Sequence, residues 1–414
     1  MSDIVLTSSV RQNLLSLQST ADLLSTTQTR LATGKKVNSA LDNPTNFFTA
    51  AGLDSRASDI NNLLDGIGNG VQVLQAANTG ITSLQKLVDS AKSIANQALQ
   101  TTAGYSSKAN VTFSGAGAGT GTATADDLSG GGGATGSKLD GAAFTFSMAG
   151  KAAVTITIGD GTAGTSKSLA DVNKALSDGG ISLTAALDSS GGLTFTSTND
   201  SASQTITAAT TATANFSTAN TVEIAVAAAD ATTVGVNAAV ADVNSQNTRA
   251  NLINQYNQII DQIKTTAQDS SFNGTNLLNG DQLKLVFNET GKSTLNITGV
   301  TFDPAGLGLG TLAAGTDFVD NSSTNKVLSA LNNASSTLRS QASAFGSNLS
   351  MVQIRQDFNK NLINVLQTGS SNLTLADTNE EAANSQALST RQSIAVSALA
   401  LANQSQQSVL QLLR

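Results

Sequence analysis

Near the start of the chain, apolar residues recur at Val10, Leu14, Leu17, Ala21, Leu24 and Leu31, with Gln28 at the one polar step. The alternating steps of four and three form a heptad seam, the pattern of a helix that packs along a partner helix. Gly34 follows as a helix-ending residue, with Lys35 and Lys36 beside the negative helix end. A second helix is predicted from about Asn46 to Gln100, where Ile67, Val71, Leu74, Ile81, Leu84, Val88, Ala91 and Ala95 keep near-heptad spacing. At about 1.5 Å per residue it would be roughly 80 Å long, too long for one compact domain without partners of similar length.

The other end of the chain supplies such partners. Leu331, Leu338, Ala342, Phe345, Leu349 and Val352 form another seam, which Phe358, Leu362 and Val365 continue after a phase slip. From about Glu380 to Arg414, Leu388, Ile394, Ala395, Leu399, Leu401, Val409 and Leu413 cover an arc broader than a two-helix seam. This last helix is therefore expected to meet neighbours on more than one side. A shorter helix around Leu252, Tyr256, Ile259, Ile260 and Ile263 precedes strand-like alternation from Leu283 to Val300, the pattern of a hairpin.

Between the helical ends, from about 105 to 244, the text turns to Ala, Thr, Gly and Ser. Phe144–Phe146 and Val154–Ile158 alternate at strand period, Leu169, Val172 and Leu176 have helical spacing, and Ile181–Leu183 and Leu193–Thr196 alternate again. The order is ββαββ, a small α+β module. Residues 105–138 are so rich in Gly that they are expected to be mobile and not to pack by themselves. Because the two helical ends resemble each other more than the middle, the middle reads as an insertion between paired termini.

Composition narrows the chemistry sharply. The 414 residues contain no His, Cys or Trp, which excludes His/Cys zinc sites, disulfides, Ser-His-Asp and Cys-His catalysis. With 22 Lys+Arg against 29 Asp+Glu the net charge is −7, and no basic block suits nucleic acid. With only two prolines in the chain, the helices are left unbroken. The start, Met1 to Leu6, does not read as a Sec signal peptide, and no run approaches the ~18 apolar residues of a membrane span, so no membrane insertion is expected. Gly308-Leu309-Gly310 imitates a dinucleotide fingerprint outside any βαβ unit, and Ser166-Lys167-Ser168 lacks the P-loop glycine. Asp160-Gly161 is not followed by calcium-ligand spacing, and the pairs Asp126-Asp127 and Glu380-Glu381 suit solvated faces. No catalytic, cofactor-binding or metal residue is assigned; the chain is expected to be no enzyme and to need no cofactor.

One motif points to a family. Arg30 to Asn43, reading RLATGKKVNSALDN, resembles the R-L-S-S-G-x-x-I-N-S-A-x-D-[DN] element at the end of the first helix of bacterial flagellins. Ser397 to Arg414, SALALANQSQQSVLQLLR, is similar to the flagellin ending, as are Ser271 to Leu278 and Ser336 to Gln341. The resemblance covers about 1–104 and 245–414, with three departures. Pro44-Thr45-Asn46-Phe47-Phe48 stands where the family usually has A-A-G-L-A, and Ser90 stands where enterobacterial members have an Arg. The insertion also precedes the 248 helix instead of following Leu307-Gly308-Leu309.

The resemblance implies a mainly α fold with long antiparallel coiled-coil-like helices from both termini, a short β-hairpin in a shaft domain, and an inserted α+β outer domain. Residues 1–43 and 370–414 would form an inner-tube helical domain, 44–104 and 245–369 the shaft, and 105–244 the outer domain. The implied function is a structural subunit that self-polymerises into the extracellular flagellar filament for motility, after type III export. The alternative is a hook–filament junction protein of the same flagellar apparatus. The implied partners are copies of the chain, a flagellin secretion chaperone at the C-terminal helix, and the hook-associated junction and cap proteins.

Overall fold

The computed structural model describes residues 8–115, 121–130, 137, 139–162, 164–210, 219–226 and 231–412. In chain order these are α1 (Ser8–Thr33), α2 (Pro44–Gln100), β1 (Tyr105–Ser107), β2 (Asn110–Gly115), β3 (Ala143–Met148), β4 (Val154–Thr157), α3 (Leu169–Asp178), β5 (Leu183–Leu187) and β6 (Leu193–Ser197). There follow β7 (Thr205–Ala209), β8 (Thr221–Val226), β9 (Ala231–Asn237), β10 (Val240–Ala241), α4 (Val243–Asp269), β11 (Gln282–Val286), β12 (Thr294–Thr298), α5 (Asn321–Thr374) and α6 (Thr378–Leu412). Long helices from both ends and a β-rich middle match the expected fold class. The chain forms two compact units: Met1–Gln72, Leu283–Ile297 and Ser347–Arg414 make one, and Val73–Gln282 with Thr298–Gly346 the other.

Every predicted seam position of α2 from Ile67 to Ala95 is buried. In the first unit, Ala57 and Ile60 of α2 pack with Ile363 and Leu366 of α5, flanked by Leu53, Leu64 and Leu362. The hairpin β11–β12 has the expected alternation, burying Leu285, Phe287 and Ile297. It lies so close to α2 that a Cβ on Gly70 would collide with the Leu285 side chain. Arg56 of α2 pairs with Glu289 at 2.8 Å, and the Arg355 guanidinium lies 5.9 Å from the centre of the Phe287 ring.

The phase slip expected in α5 does not occur. The seam runs unbroken from Val352 through Asn359, Ile363, Leu366 and Ser370, in alternating steps of seven, four, three and four residues. Asn359 is only 2% exposed, and its Nδ2 donates to the Phe287 carbonyl at 3.0 Å. A polar residue thus occupies the inward position because a hairpin carbonyl needs a donor. Phe358 and Val365, the residues expected on the seam, are 55% and 66% exposed.

In the second unit, α4 buries Leu252, Ile253, Tyr256, Ile260 and Ile263, and α5 buries Leu331, Leu338 and Phe345. Gly80 of α2 is required by close approach, since a Cβ there would strike Ser270 and Leu278. Arg249 of α4 is 2% exposed and donates through Nε to the Thr102 carbonyl at 3.0 Å, through Nη2 to Thr101 at 2.8 Å, and through Nη1 to Phe318. The cation thereby satisfies carbonyls just past the negative end of α2. Burial pushes the Arg249 pKa down, and the nearby Asp320 carboxylate opposes that shift.

The insertion enters and leaves through a narrow neck. β1 pairs antiparallel with β10, Tyr105 opposite Ala241, and the Asp242 amide donates to the Gly104 carbonyl at 2.9 Å. The predicted ββαββ order is present in β3, β4, α3, β5 and β6. It is not a closed module, however, because its strands belong to two different sheets. One sheet has the order β5-β6-β2-β9 and the other β4-β3-β8-β7, with β7 and β8 parallel and the remaining pairs antiparallel. A quartet of Phe113, Phe144, Phe146 and Phe195, at centroid separations of 5.0–6.2 Å, fills the core between them.

This arrangement corrects the expectation for residues 105–138. Its described part does pack: β2 lies inside a sheet, and Ala109, Val111, Phe113, Ala123 and Leu128 belong to the core. The glycines of this stretch begin only at Gly115, and the preceding Asn110-Val111-Thr112-Phe113-Ser114 alternates cleanly as a strand. The rest of it, 116–120, 131–136 and 138, lies outside the described residues.

Candidate assembly surface

The family-like element from Arg30 to Asn43 owes its shape to a sequence of local hydrogen bonds. Gly34 ends α1 at φ +68°, in the left-handed region where a side chain is disfavoured. Asp42 Oδ2 then accepts from the Asn38 amide at 2.9 Å, the Ser39 amide at 2.8 Å and the Ser39 hydroxyl at 3.2 Å. These bonds, the Ser39 and Asn38 amides first, hold the Asp42 carboxyl below the usual aspartate range. Asn43 caps α2, its Oδ1 accepting from the Asn46 amide at 3.0 Å, while Pro44 takes the first helical position. The turn fixes how the chain passes from α1 into α2.

The same turn is bound to the start of the last helix. The Lys36 amide donates to Thr374 at 2.7 Å, and the Ala376 amide donates to Gly34 at 3.0 Å. Asp377 caps α6 by accepting from the Asn379 amide at 2.9 Å. Arg30, in the last turn of α1, lies 3.3 Å from Glu381 in the first turn of α6, so each charge also complements its own helix dipole. From there α1 and α6 run antiparallel along each other.

Their contact uses only part of the apolar surface. On α6 the inward positions are Glu381, Ser385, Leu388, Gln392, Ala395, Leu399 and Ala402, a strict heptad alternation. On α1 they are Val10, Asn13, Leu17, Thr20, Ala21, Leu24 and Thr27. The sequence seam is therefore half right: Val10, Leu17, Ala21 and Leu24 face inward, whereas Leu14, Gln28 and Leu31 are exposed. The helix turns Asn13, Thr20 and Thr27 toward its partner instead, and six of the fourteen inward positions of the pair are polar.

Several large apolar side chains remain uncovered. Leu14, Leu15, Leu23 and Leu31 are exposed on α1, and Ile394, Val396 and Leu401 on α6. The breadth expected of the last helix is thus real, its second apolar face lying outside the pair. On α5, Met351, Ile354, Phe358 and Val365 follow heptad-compatible steps of three, four and seven and are 45%, 66%, 55% and 66% exposed. Leu41 and Phe48 beside the Asp42 turn are 95% and 65% exposed. Most exposed large hydrophobic residues among those described belong to the first unit. Isolated exposed leucines are ordinary, but stripes repeated on three helices mark an interaction surface. The α5 stripe was missed because its best residues had been assigned to the inward seam.

The features set aside as chemistry have structural explanations. Leu307 and Leu309 flank Gly308 as buried residues of a turn, and Asp160 accepts from the Thr162 amide and hydroxyl. Asp127 is occupied by Ser129 and Gly130. Among the described residues no group of three acidic side chains could hold a metal ion, and no helix is long and apolar enough to cross a membrane.

Comparison with known proteins agrees with these two ends. Residues 5–113 match the bacterial flagellin N-terminal helical region, and residues 328–413 match the bacterial flagellin C-terminal helical region. Over 165 residues, 39% of this chain, it is 31% identical to flagellin FljM of Caulobacter vibrioides and 30% identical to flagellin FljK of the same organism. Flagellin FljO is 29% identical over 161 residues. The chain spans 58–59% of the length of these relatives. With both regions present in order and the turn between α1 and α2 closed by Asp42, the chain carries the two terminal helical regions of bacterial flagellins.

Proposed function

We propose that this protein is a structural subunit that polymerises with copies of itself into a helical flagellar filament. The observation that carries the reading is the exposed apolar surface of α1, α5 and α6, at heptad spacing along Met351, Ile354, Phe358 and Val365 of α5, which the described residues leave uncovered. A heterologous contact that does not close on itself generates a helical polymer, so such stripes can be buried by successive copies. The names of the relatives, all flagellins, support the same reading.

In this proposal residues 1–43 and 370–414 form the inner tube, 44–104 and 245–369 the shaft, and 105–244 the outer domain. The filament is extracellular. Before assembly, the exposed face of α6 around Ile394 and Leu401 would be covered by a secretion chaperone, and junction and cap proteins would meet the filament ends. The activity is assembly and not catalysis.

The test is electron microscopy of the purified chain after addition of short filament seeds. The proposal expects filaments that lengthen with added protein and show a critical concentration. A chain that adds a single layer and stops would be the hook–filament junction protein. A chain that stays monomeric on every seed would overturn both.

A further inference from the structure

The second unit contains a cleft of about 750 Å³, between the insertion and the start of α5, that the assembly surface does not use. Its lining is unusual in this chain. Lys151 and Lys326 both reach it, and hydroxyls surround it, among them those of Tyr105, Ser201 and Ser322. A second cleft of about 650 Å³ shares Ser201, Ser322 and Lys326 with it, so the polar wall extends along the first turns of α5.

Three observations point to a ligand. First, Gln204 lines the cleft, is 2% exposed, and its Oε1 has no hydrogen-bond partner. Ser147 Oγ, next to the lining residue Met148, and Ser197 Oγ and Thr198 Oγ1, in the turn leading to Ser201, are buried and unpartnered as well. Native interiors leave few such groups, and of these it is Gln204 that lines the cleft itself. Second, the acidic residue of the cleft is already committed. Asp320 caps α5, accepting from the Ser323 amide at 2.9 Å, and also accepts from the Ser203 hydroxyl at 2.6 Å. Asp320 keeps its negative charge but its oxygens are occupied, and the two lysines, Lys151 also donating to the Gly180 carbonyl, together with the positive end of α5 leave the lining with an excess of positive charge. Third, the backbone is held out of its ordinary range on both walls: Asn220 at φ 57° lines the cleft, and Phe318 at φ 55° precedes its lining residue Val319. Such conformations cost energy and persist where the surroundings fix them.

We propose that this cleft binds a sugar bearing one anionic group. The ring hydroxyls would exchange hydrogen bonds with the serine and carboxamide side chains, and the anion would lie between Lys151 and Lys326. Tyr105, Met148 and Val319 offer an apolar wall for the ring face. An aromatic ligand such as a nucleobase is disfavoured, because Tyr105 is the single aromatic side chain of the lining. The anionic group can be a carboxylate or a phosphate; both satisfy the same lysines.

The experiment is calorimetric titration of the full-length monomer with glucuronate and with glucose 6-phosphate, beside glucose and inorganic phosphate. Lys151 and Lys326 are exposed, so Lys326→Ala and Lys151→Ala should fold normally, which circular dichroism checks. At least one anionic sugar should bind about fivefold or more tightly than both glucose and phosphate, and each lysine variant should weaken it by about fivefold. Preference for glucuronate identifies a carboxylate and preference for glucose 6-phosphate a phosphate, either supporting the site. The proposal is overturned if neither sugar binds, if inorganic phosphate binds as tightly, or if the folded lysine variants bind as the parent does.

Discussion

Phe358 separates the stability of the monomer from the stability of the polymer. It lies on the outward stripe of α5 at 55% exposure, one residue from the buried Asn359. Fully burying a Phe side chain yields about 1.5–3 kcal/mol, so the half still exposed leaves roughly 1–1.5 kcal/mol to be gained when a second copy covers it. Phe358→Ala forfeits that gain in every subunit contact. Since 1.4 kcal/mol corresponds to tenfold, the critical concentration for seeded polymerisation should rise by about tenfold. Phe358→Asp buries an unpaired carboxylate at the contact and should abolish growth. Monomer unfolding in urea should change by less than about 0.5 kcal/mol for Phe358→Ala, as at an ordinary surface site. As the reverse control, Leu338→Ala removes a side chain with 0% exposure and should destabilise the monomer by about 2–5 kcal/mol. Sedimentation of polymer against subunit concentration reads the first quantity and circular dichroism the second. Phe358→Ala filaments at the parent critical concentration would refute the argument, as would a monomer destabilised as much as by Leu338→Ala.

Further outcomes follow from particular contacts. Arg249→Met leaves the Thr101, Thr102 and Phe318 carbonyls without their donor and should cost about 3–5 kcal/mol in chemical denaturation, with no direct effect on the assembly stripes. Burial pushes the Tyr256 phenol up to about 12, so the folded state holds its proton more tightly than the unfolded chain. The stability this gives is intact below about pH 10 and is lost as pH rises from there toward 12, and Tyr256→Phe should flatten that fall in melting temperature relative to the parent. Replacing residues 108–238 by a short Gly/Ser bridge keeps the Tyr105–Ala241 pairing of the neck. Filaments should still form and be thinner by electron microscopy; absent filaments despite normal secretion would place the insertion among the essential contacts. Gly70→Ala should loosen the hairpin through its collision with Leu285, visible as faster amide exchange in β11 and β12.

The long helices were legible because burial and spacing coincide in them: Leu74, Ile81, Leu84 and Val88 are each at 0% exposure, where a heptad reading puts them. The reading failed where a polar residue faces inward. Asn359 serves a hairpin carbonyl and Thr27 faces α6, and no periodicity of apolar residues announces either. The failure had a direction, since it assigned to the interior residues that the single chain leaves exposed, such as Phe358 and Leu14. In the insertion, strand alternation identified β3 to β6, but pairing depends on residues far apart in the chain. Phe113 pairs with Leu193 in the neighbouring strand, and nothing local to either specifies that partner. The motif from Arg30 to Asn43 was legible as a resemblance before its cause was visible. Its cause is the set of bonds around Asp42, Asn43 and Gly34.

Amide hydrogen exchange of the chain before and after polymerisation tests the central claim most directly. In the monomer, α1 and α6 share a partly polar seam with few fully buried residues, so they should exchange quickly. On assembly, protection should rise strongly over residues 8–33 and 378–412 and across the α5 stripe from Met351 to Val365. Residues 143–226 of the insertion, whose core is complete within the subunit, should change little. Unchanged exchange across α1, α5 and α6 in sedimented filaments, with new protection confined to the insertion, would contradict the account.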